Sequence, residues 1–357
     1  MTANLRVVVA MSGGVDSSVA AALLKDQGFD VVGVMLRLWS EPGTEESNRC
    51  CSPESMSMAR RAAAVLDIPF HVIDGKTAFH AAVVQGFLDG YGGGATPNPC
   101  LQCNKEVRWS FLLEHALALD AEFMATGHYA RLLKDESGAI RLLRAIDTSK
   151  DQSYVLHVLD QAQLRRTLLP IGEHKKADVR RLAEYYSLPT ASRRESQDLC
   201  FLAGGDYRDF LRRRRPELFV DGNIVTVSGE VLGEHRGLVN YTIGQRKGLG
   251  VPSPVPLYVL RKDVASGNLI VGIEEELGQR ELSAANVHWL SGQPNTEPFQ
   301  ANVKTRYTAR EAPAEVFPLD GGQHVRIVFD APQRDITRGQ AAVFYQEEYV
   351  VGGGIIE

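Results

Sequence analysis

Leu5-Arg6-Val7-Val8-Val9-Ala10-Met11-Ser12-Gly13-Gly14-Val15-Asp16-Ser17-Ser18 is the stretch whose reading decides the fold. Leu5 to Ala10 is a β-branched apolar run of the kind that forms a buried strand. A glycine pair interrupts it, and a helical stretch, Ser18 to Gln27, comes next. A strand that turns straight into a helix leaves unpaired backbone N–H groups facing the turn. Glycines let a ligand approach them closely, so the junction suits phosphate. No lysine follows the glycines, which excludes the GxxxxGK[ST] loop. The GxGxxG spacing is absent too, and no acidic residue closes the second strand to hold a ribose. Asp16 is an awkward neighbour for phosphate unless Mg²⁺ stands between them. A pyrophosphate-bearing ligand with Mg²⁺ is therefore expected, with Asp16 the candidate metal ligand and Ser12 a candidate phosphate donor. A serine–glycine pair that merely caps a helix is the plainer alternative.

Working outward, Val31 to Leu38 reads as the second strand, Met56 to Leu66 as a helix and Phe70 to Ile73 as a third strand. Phe111 to Leu119 has helical periodicity, and Glu122 to Thr126 reads as a strand ending at Gly127. Strands alternating with helices predict a parallel sheet covered on both faces. Leu164 to Tyr186 reads as largely helical. Near Gly204 the pattern changes to short extended runs punctuated by glycine. From Leu282 onward it is strand-like, at Asn302 to Tyr307, His324 to Phe329 and Ala341 to Tyr345. That end predicts a small antiparallel barrel or sandwich, of which the barrel is preferred. The expected division is 1–204, 205–275 and 276–357.

At 357 residues, 44% hydrophobic and 23% charged, the chain has material for such a multidomain globular protein. No apolar run is long enough to span a membrane, and the start lacks the features of a secretory signal, so a cytoplasmic location is expected. Five cysteines in so long a chain do not make a disulfide scaffold. Thiols that matter here would act through chemistry or metal. The net charge of −5 does not advertise nucleic-acid binding. Locally, however, Lys175 to Arg215 holds eleven basic and six acidic residues, densest at Arg212 to Arg215. A cationic face for RNA is one reading of this, and a solvated helix face the other.

Ser12 to Ser17, SGGVDS, resembles the signature of the PP-loop ATP pyrophosphatases, enzymes that split ATP into AMP and pyrophosphate while activating a carbonyl oxygen. The loop does not choose among their substrates. The cysteines narrow the field. Thr96-Pro97-Asn98-Pro99-Cys100-Leu101-Gln102-Cys103-Asn104-Lys105 is a proline-stiffened loop after the glycines of 90–94. Cys103 is expected near a helix start, where the helix dipole and Lys105 favour thiolate and make it a nucleophile. Cys200, in Ser196-Gln197-Asp198-Leu199-Cys200-Phe201, reads as the second thiol of a pair beside these. Simple burial is the competing account for each cysteine. The adjacent Cys50 and Cys51 are taken as incidental.

With these pieces the chain resembles the tRNA-specific 2-thiouridylase family almost throughout. The matching segments are SGGVDSS from Ser12, TPNPC..CNK from Thr96, ATGHYAR from Ala125, KDQSY from Lys150, CF at Cys200, TIGQRKGLG from Thr242, VKTRY from Val303, and the closing GQAAVFY and GGGIIE. The resemblance implies an α/β fold: a parallel-sheet nucleotide-binding domain of PP-loop type, then a small middle domain contacting tRNA and a C-terminal antiparallel β-barrel. It implies an enzyme that adenylates the 2-oxygen of the wobble uridine (position 34) of tRNA and replaces it with persulfide sulfur, releasing AMP and pyrophosphate. Cys200 would carry the persulfide and Cys103 would be the nucleophile, with a disulfide between them as the resolved state. The ATP site would comprise Ala10, Met11, Ser12, Gly13, Gly14, Val15, Asp16, Ser17, Leu36 and Gly127. The tRNA site would comprise Asn98, Pro99, Cys100, His128, Lys150, Asp151, Gln152, Arg306, Tyr307 and Gln340. The implied partners are tRNA and a persulfide donor, either a cysteine desulfurase or a relay protein, and no membrane. Many family members have aspartate where Cys100 stands, as a proposed acid or base. Either the Cys100 thiol does that proton work or another group does. The position of Leu36 is often methionine.

Three alternatives stay open on the sequence. Cys100, Cys103 and Cys200 suit three corners of a [4Fe–4S] cluster as well as they suit a persulfide relay. From a different class, a non-catalytic RNA-binding protein that senses ATP would use the same loop but leave the thiols unexplained. An ammonia-using synthetase would not need thiols either.

Overall fold

The computed structural model describes residues 5–44, 52–193, 199–202, 204–334 and 336–357. Arg6–Ala10 forms strand β1, and its Val7, Val8 and Val9 have no solvent exposure. Each such valine stabilises the sheet by about 1.5–3 kcal/mol. The glycine turn then delivers the chain into helix α1 (Val15–Asp26), which leads to β2 (Asp30–Arg37), helix α2 (Pro53–Val65) and β3 (Phe70–Asp74). Strand β4 (Phe123–Ala125) and, later, β7 (Thr167–Leu168) complete a five-stranded sheet in the order β3-β2-β1-β4-β7. All its pairings are parallel. The chain winds outward from β1 to β3 and then returns to the other side of β1. This puts the topological switch between β1 and β4, where open α/β sheets bind ligands.

The stretch Leu164 to Tyr186 is not one helix. It breaks into Gln161–Arg165, the edge strand β7 and the helix Lys176–Tyr185. A two-residue strand carries too little pattern to be seen in sequence. Between β4 and β7 a hairpin, β5 (Arg131–Lys134) and β6 (Ile140–Leu143), leaves the parallel sheet and joins the C-terminal one.

The middle of the chain forms a four-stranded sheet, β8 (Asp221–Val225), β9 (Val231–Arg236), β10 (Tyr258–Asp263) and β11 (Asn268–Gly272), ordered β10-β11-β8-β9. The last part is antiparallel: β12 (Gln279–Trp289), β13 (Phe299–Lys304), β14 (Ala312–Leu319), β15 (His324–Gln333), β16 (Ala341–Gln346) and β17 (Tyr349–Ile356). Pairing of β12 with both β15 and β17 closes these six strands into a barrel, which leaves no open edge among them. The β5–β6 hairpin attaches outside this ring through Tyr349 opposite Leu143.

One hydrophobic cluster crosses the boundary. Val8, Trp109, Leu142 and Tyr154 pack with Ala341, Val343, Tyr345 and Val350 of the barrel. Arg144 adds a fork to the Glu311 carboxylate, with Nε 3.1 Å from Oε1, and lies over the Tyr345 ring at 4.3 Å. Sheet and barrel therefore share a core.

Candidate active site

The turn after β1 is shaped by its own hydroxyls. With Gly14 as N-cap, α1 has no side-chain cap from outside. Ser17 Oγ and Ser18 Oγ instead donate back to the Gly14 carbonyl at 3.3 and 2.9 Å, and the Ser12 N–H donates to Ser17 Oγ at 3.2 Å. Met11 and Val15 are buried in the core, so they offer a ligand their backbone only, while Ser12 is exposed. Gly13 has φ +74°, and a Cβ placed there would lie 2.2 Å from the Ser55 carbonyl oxygen of α2. Gly127, just beyond β4, abuts the other side, where a Cβ would come within 2.6 Å of Ser17 N. Both positions therefore require glycine. The loop lies at the switch point between β1 and β4, open toward the carboxyl ends of the strands.

Charged partners reach this loop from distant sequence. Lys176 Nζ lies 2.7 and 2.8 Å from the two carboxylate oxygens of Asp16, and the Tyr129 hydroxyl donates to Oδ1 at 2.8 Å. Arg193 donates to the Gly13 carbonyl at 2.6 Å and to Ser55 Oγ at 2.7 Å. Sequence reasoning misses all three, because nothing local marks a contact across 160 or 180 residues. The loop thus lacks a lysine of its own but receives one from the helix Lys176–Tyr185. As a donor set for a cation, one loop carboxylate completed by nucleotide phosphates and water is what Mg²⁺ accepts.

The thiols meet beside the neighbouring strand. Asn98 caps the helix that starts at Pro99, its Oδ1 accepting the Cys100 N–H at 3.1 Å. The helix continues as a π-helical segment, Cys103–Leu112. Cys100 thus occupies the first turn and is exposed, whereas Cys103 lies a turn further in and is buried. Cys103 packs with Phe79, Val83, Phe87, Val107, Phe201 and Phe210, and Lys105 is an exposed side chain 3.7 Å from Glu106. Cys200, half-buried in a short helical turn, lies against this same aromatic cluster. Leu38, at the end of β2, is part of the cluster, and Leu36 packs against both it and the sheet–barrel core. The phosphate loop follows β1 and the thiol cluster adjoins β2, so both lie at the carboxyl edge of one sheet, with Leu36 between them.

Among the described residues no group of three or more His, Cys, Asp or Glu side chains stands together as a metal site. Cys50, Cys51 and Ser196 to Asp198 lie outside the described residues.

Comparison with known proteins identifies the family. The family described as tRNA methyl transferase HUP domain matches residues 5–204, its PRC-barrel domain counterpart matches 208–273, and the aminomethyltransferase beta-barrel domain matches 279–356. The tRNA-specific 2-thiouridylase MnmA of Magnetococcus marinus is 46% identical over 100% of both chains. That of Chloroflexus aggregans is 46% identical over 98% of each chain. Among solved structures, a 4-thiouridine synthetase–RNA complex with bound ATP aligns over 60% of this chain and 51% of its own, at 15% identity and a TM-score of 0.36. This chain belongs to the tRNA-specific 2-thiouridylase family.

The residues expected to meet tRNA fall into two groups. Some are taken up by the protein itself. Asp151 is buried, accepting from the Ala145 and Ser153 N–H groups and the Ser153 hydroxyl at 3.0, 3.2 and 2.8 Å. Gln152 pairs with the Tyr129 backbone in both directions, at 3.0 and 2.7 Å. His128 is buried, with Nδ1 2.7 Å from Thr126 Oγ1 and Nε2 3.4 Å from the Arg108 guanidinium. Burial, with that cation beside it, holds the His128 pKa well below the usual histidine range, so the ring is neutral at physiological pH. Gln340 donates to the Thr96 carbonyl.

Of the others, Cys100 and Tyr307 are exposed, Asn98, Lys150 and Arg306 are half-buried, and Pro99 is buried. Tyr307 is 40% exposed and lies past the end of β13, in the turn after it. Lys304 Nζ stands 5.7 Å above the Tyr307 ring and 5.9 Å above that of Tyr154. Arg306 is its immediate neighbour in the chain, and Cys100 is close enough to Tyr307 to act electrostatically on its hydroxyl. Barrel and thiol loop thus meet around exposed aromatic and cationic groups.

The arginine run is paired with acidic side chains. Arg212 pairs with Asp209 at 3.0 Å, Arg213 and Arg214 with Glu41 at 2.6 and 3.5 Å, and Arg215 with Asp89 at 3.4 Å and with Glu217. Arg212 and Arg214 also lie over Phe219 and Trp39. Arg213, Arg214 and Arg215 tie this region to the nucleotide-binding part through Glu41 and Asp89, and each of the four arginines has an acidic partner. No described helix is long and apolar enough to cross a membrane.

Proposed function

We propose that this chain catalyses ATP-dependent 2-thiolation of uridine in tRNA, at wobble position 34, with release of AMP and pyrophosphate. The observation that carries the reading is the shared sheet edge: a phosphate loop after β1 and a two-thiol cluster beside β2, with Leu36 between. Uracil's 2-oxygen is a poor leaving group, and attack on the α-phosphate of ATP turns it into an adenylate that leaves easily. The loop N–H groups of Ser12 to Ser17 hold the phosphates. Mg²⁺, when bound at Asp16, supplies charge neutralisation for the departing pyrophosphate. Lys176 and Arg193 add fixed positive charge from the protein itself. Leu36 is suited to lie against the adenine, and Gly127 keeps the ligand cleft clear.

Sulfur delivery falls to the thiols. The terminal sulfur of a Cys200 persulfide attacks C2 and AMP leaves, giving a Cys200–S–S–C2 link. Cys103 then attacks Cys200 Sγ, forming a Cys103–Cys200 disulfide and leaving the thiocarbonyl on the base. An external thiol reductant restores both cysteines, and an external persulfide donor reloads Cys200. Cys100, exposed in the first helical turn, is placed for proton exchange at the base. Asn98, Pro99, Lys150, Arg306 and Tyr307 would receive the RNA, with Tyr307 able to stack on a flipped base. Residues 1–204 would carry the chemistry, and 205–275 and 276–357 would hold the tRNA. The cytoplasm, where tRNA and ATP coexist, is the compartment this requires.

The test is nucleoside analysis of tRNA incubated with the protein, ATP, Mg²⁺ and a persulfide source. One 2-thiouridine per AMP is expected, and none in tRNA carrying cytidine at position 34. Thiolation without AMP release would sink the reading. Activity that tracks three to four irons per chain in anaerobic preparations would replace the persulfide relay with the cluster mechanism.

A further inference from the structure

The loop that carries the thiols is held by the barrel. Thr96 donates its N–H to the Arg338 carbonyl at 2.8 Å, and its own carbonyl accepts from Gln340 Nε2 at 2.7 Å. Both backbone polar groups of Thr96 are thus satisfied by one turn of another domain. Between these contacts Gly339 comes in backbone-first. Its φ is +89°, and a Cβ there would lie 2.9 Å from Ala95 Cβ and 3.1 Å from Thr96 N. The turn is itself anchored to the last strand, with the Gly339 N–H donating to the Ile356 carbonyl at 2.9 Å and the Ile356 N–H to the Gln340 carbonyl at 2.8 Å. Thr96 Oγ1 is buried with no hydrogen-bond partner, so the side chain gains nothing polar from this site. The position is set by the backbone contacts.

The neighbours of Thr96 in the chain make the contact consequential. Asn98 lies two residues on, caps Cys100, and is within hydrogen-bond reach of the Tyr154 hydroxyl, which also donates to the Ala341 carbonyl at 3.0 Å. Ahead of Thr96, Gly94 abuts Val264 of the middle sheet, where a Cβ would lie 2.4 Å from Cγ2. A loop of glycines and prolines has little internal structure to fix it, so its conformation is that of its clasps.

We propose that the Arg338–Gln340 turn is a positioning clamp for the thiol helix, with Gln340 acting through Thr96 on the placement of Cys100 and Cys103. In the chain without RNA, Gln340 is then a positioning residue. The clamp bears on the sulfur transfer proposed above, but it is testable in the protein alone.

The experiment is iodoacetamide labelling of the full chain, without ATP, RNA or sulfur donor, read per cysteine by peptide mass spectrometry. Gln340→Met keeps bulk and removes the donor. Labelling of Cys100 and Cys103 should rise about fivefold, the scale of one lost hydrogen bond, while Cys200, Cys50 and Cys51 are unchanged. Gly339→Ala, which pushes on Ala95 and Thr96 without touching the glutamine, should do the same. In turnover, Gln340→Met should lower kcat for thiolation. Unaltered labelling and kcat in Gln340→Met would overturn the clamp. So would a uniform rise in all five thiols in both variants, which would report general loosening. Labelling changes as predicted in a protein that makes no 2-thiouridine would leave the clamp standing and remove the assigned reaction.

Discussion

Lys176 Nζ bridges both carboxylate oxygens of Asp16, at 2.7 and 2.8 Å, across 160 residues of sequence. The lysine side chain is 11% exposed and the aspartate 30%, so the pair is only partly screened by water. The ammonium stands where nucleotide phosphates would arrive, and Mg²⁺ at Asp16 would compete with it for the carboxylate. Lys176→Met should lower tRNA-dependent pyrophosphate release at least about tenfold, the scale of a charge-assisted hydrogen bond worth 1.5–3 kcal/mol. Asp16→Asn should do the same and also flatten the Mg²⁺ dependence. Normal pyrophosphate release in Lys176→Met would confine the lysine to a structural role.

Gly127→Ala tests the cleft rather than the charge. The added methyl would lie 2.6 Å from Ser17 N, so α1 or the turn after β4 must move. Adenylation should fall by a factor of ten or more, with persulfide loading of Cys200 kept. Loss of loading as well would indicate a general structural defect.

The thiols separate by the step each one blocks. Cys200→Ser should still release pyrophosphate with tRNA but accept no transferable sulfur. Cys103→Ser should load Cys200 and fail to resolve, because serine is a far weaker nucleophile at neutral pH. Cys100→Asp should retain substantial activity and Cys100→Ala little. Full activity with an unchanged pH profile in Cys100→Ala would remove Cys100 from the catalytic set.

Acid should destabilise the protein through two buried imidazoles. His157 donates to the Tyr154 carbonyl, and burial lowers its pKa from 6.5 to about 4. His128 is shifted the same way. The unfolded chain takes up these protons at higher pH than the folded one. Their contribution is therefore fully present above about 6.5 and is lost as pH falls toward 4, roughly 2 kcal/mol at pH 5 for His157 alone. Urea midpoints at pH 7 and pH 5 measure it, and His157→Gln should narrow the gap. An equal gap in the variant would place the acid sensitivity elsewhere.

Charge reversal of Arg213 gives a sharp outcome because Glu41 is already its partner. Arg213→Glu should lower the thermal midpoint by setting two carboxylates together, since this arginine is what chiefly holds the Glu41 pKa below its usual value. The salt dependence of tRNA binding should stay the same. A salt slope reduced by about one unit would restore the arginine run to the RNA interface.

The sheet was legible in sequence because β1, β2 and β3 are short β-branched runs with glycine or polar punctuation, and the barrel because its strands alternate between turns. What could not be read depends on distance. Lys176 and Arg193 reach the phosphate loop from far along the chain, and Glu41 neutralises arginines 172 residues away, so a local excess of positive charge overstated the exposed cations. Cys103 was read from its helix position and from Lys105, whereas its aromatic neighbours Phe79, Phe201 and Phe210 come from segments with no sequence proximity. Asp151 and Gln152 stand in a segment expected to meet RNA, and their side chains hold the fold around Tyr129 and Ser153.

The core shared by Val8, Leu142 and Tyr154 with Ala341, Tyr345 and Val350 sets an order on biosynthesis. On the ribosome, the nucleotide-binding part emerges first but cannot seal its second face until the strands near residue 350 have cleared the exit tunnel. A chain stalled earlier would hold a nearly complete phosphate loop on an unfinished scaffold. Truncated products should therefore be captured by chaperones or proteases before they can turn ATP over on RNA, which makes full-length synthesis itself a checkpoint on adenylation.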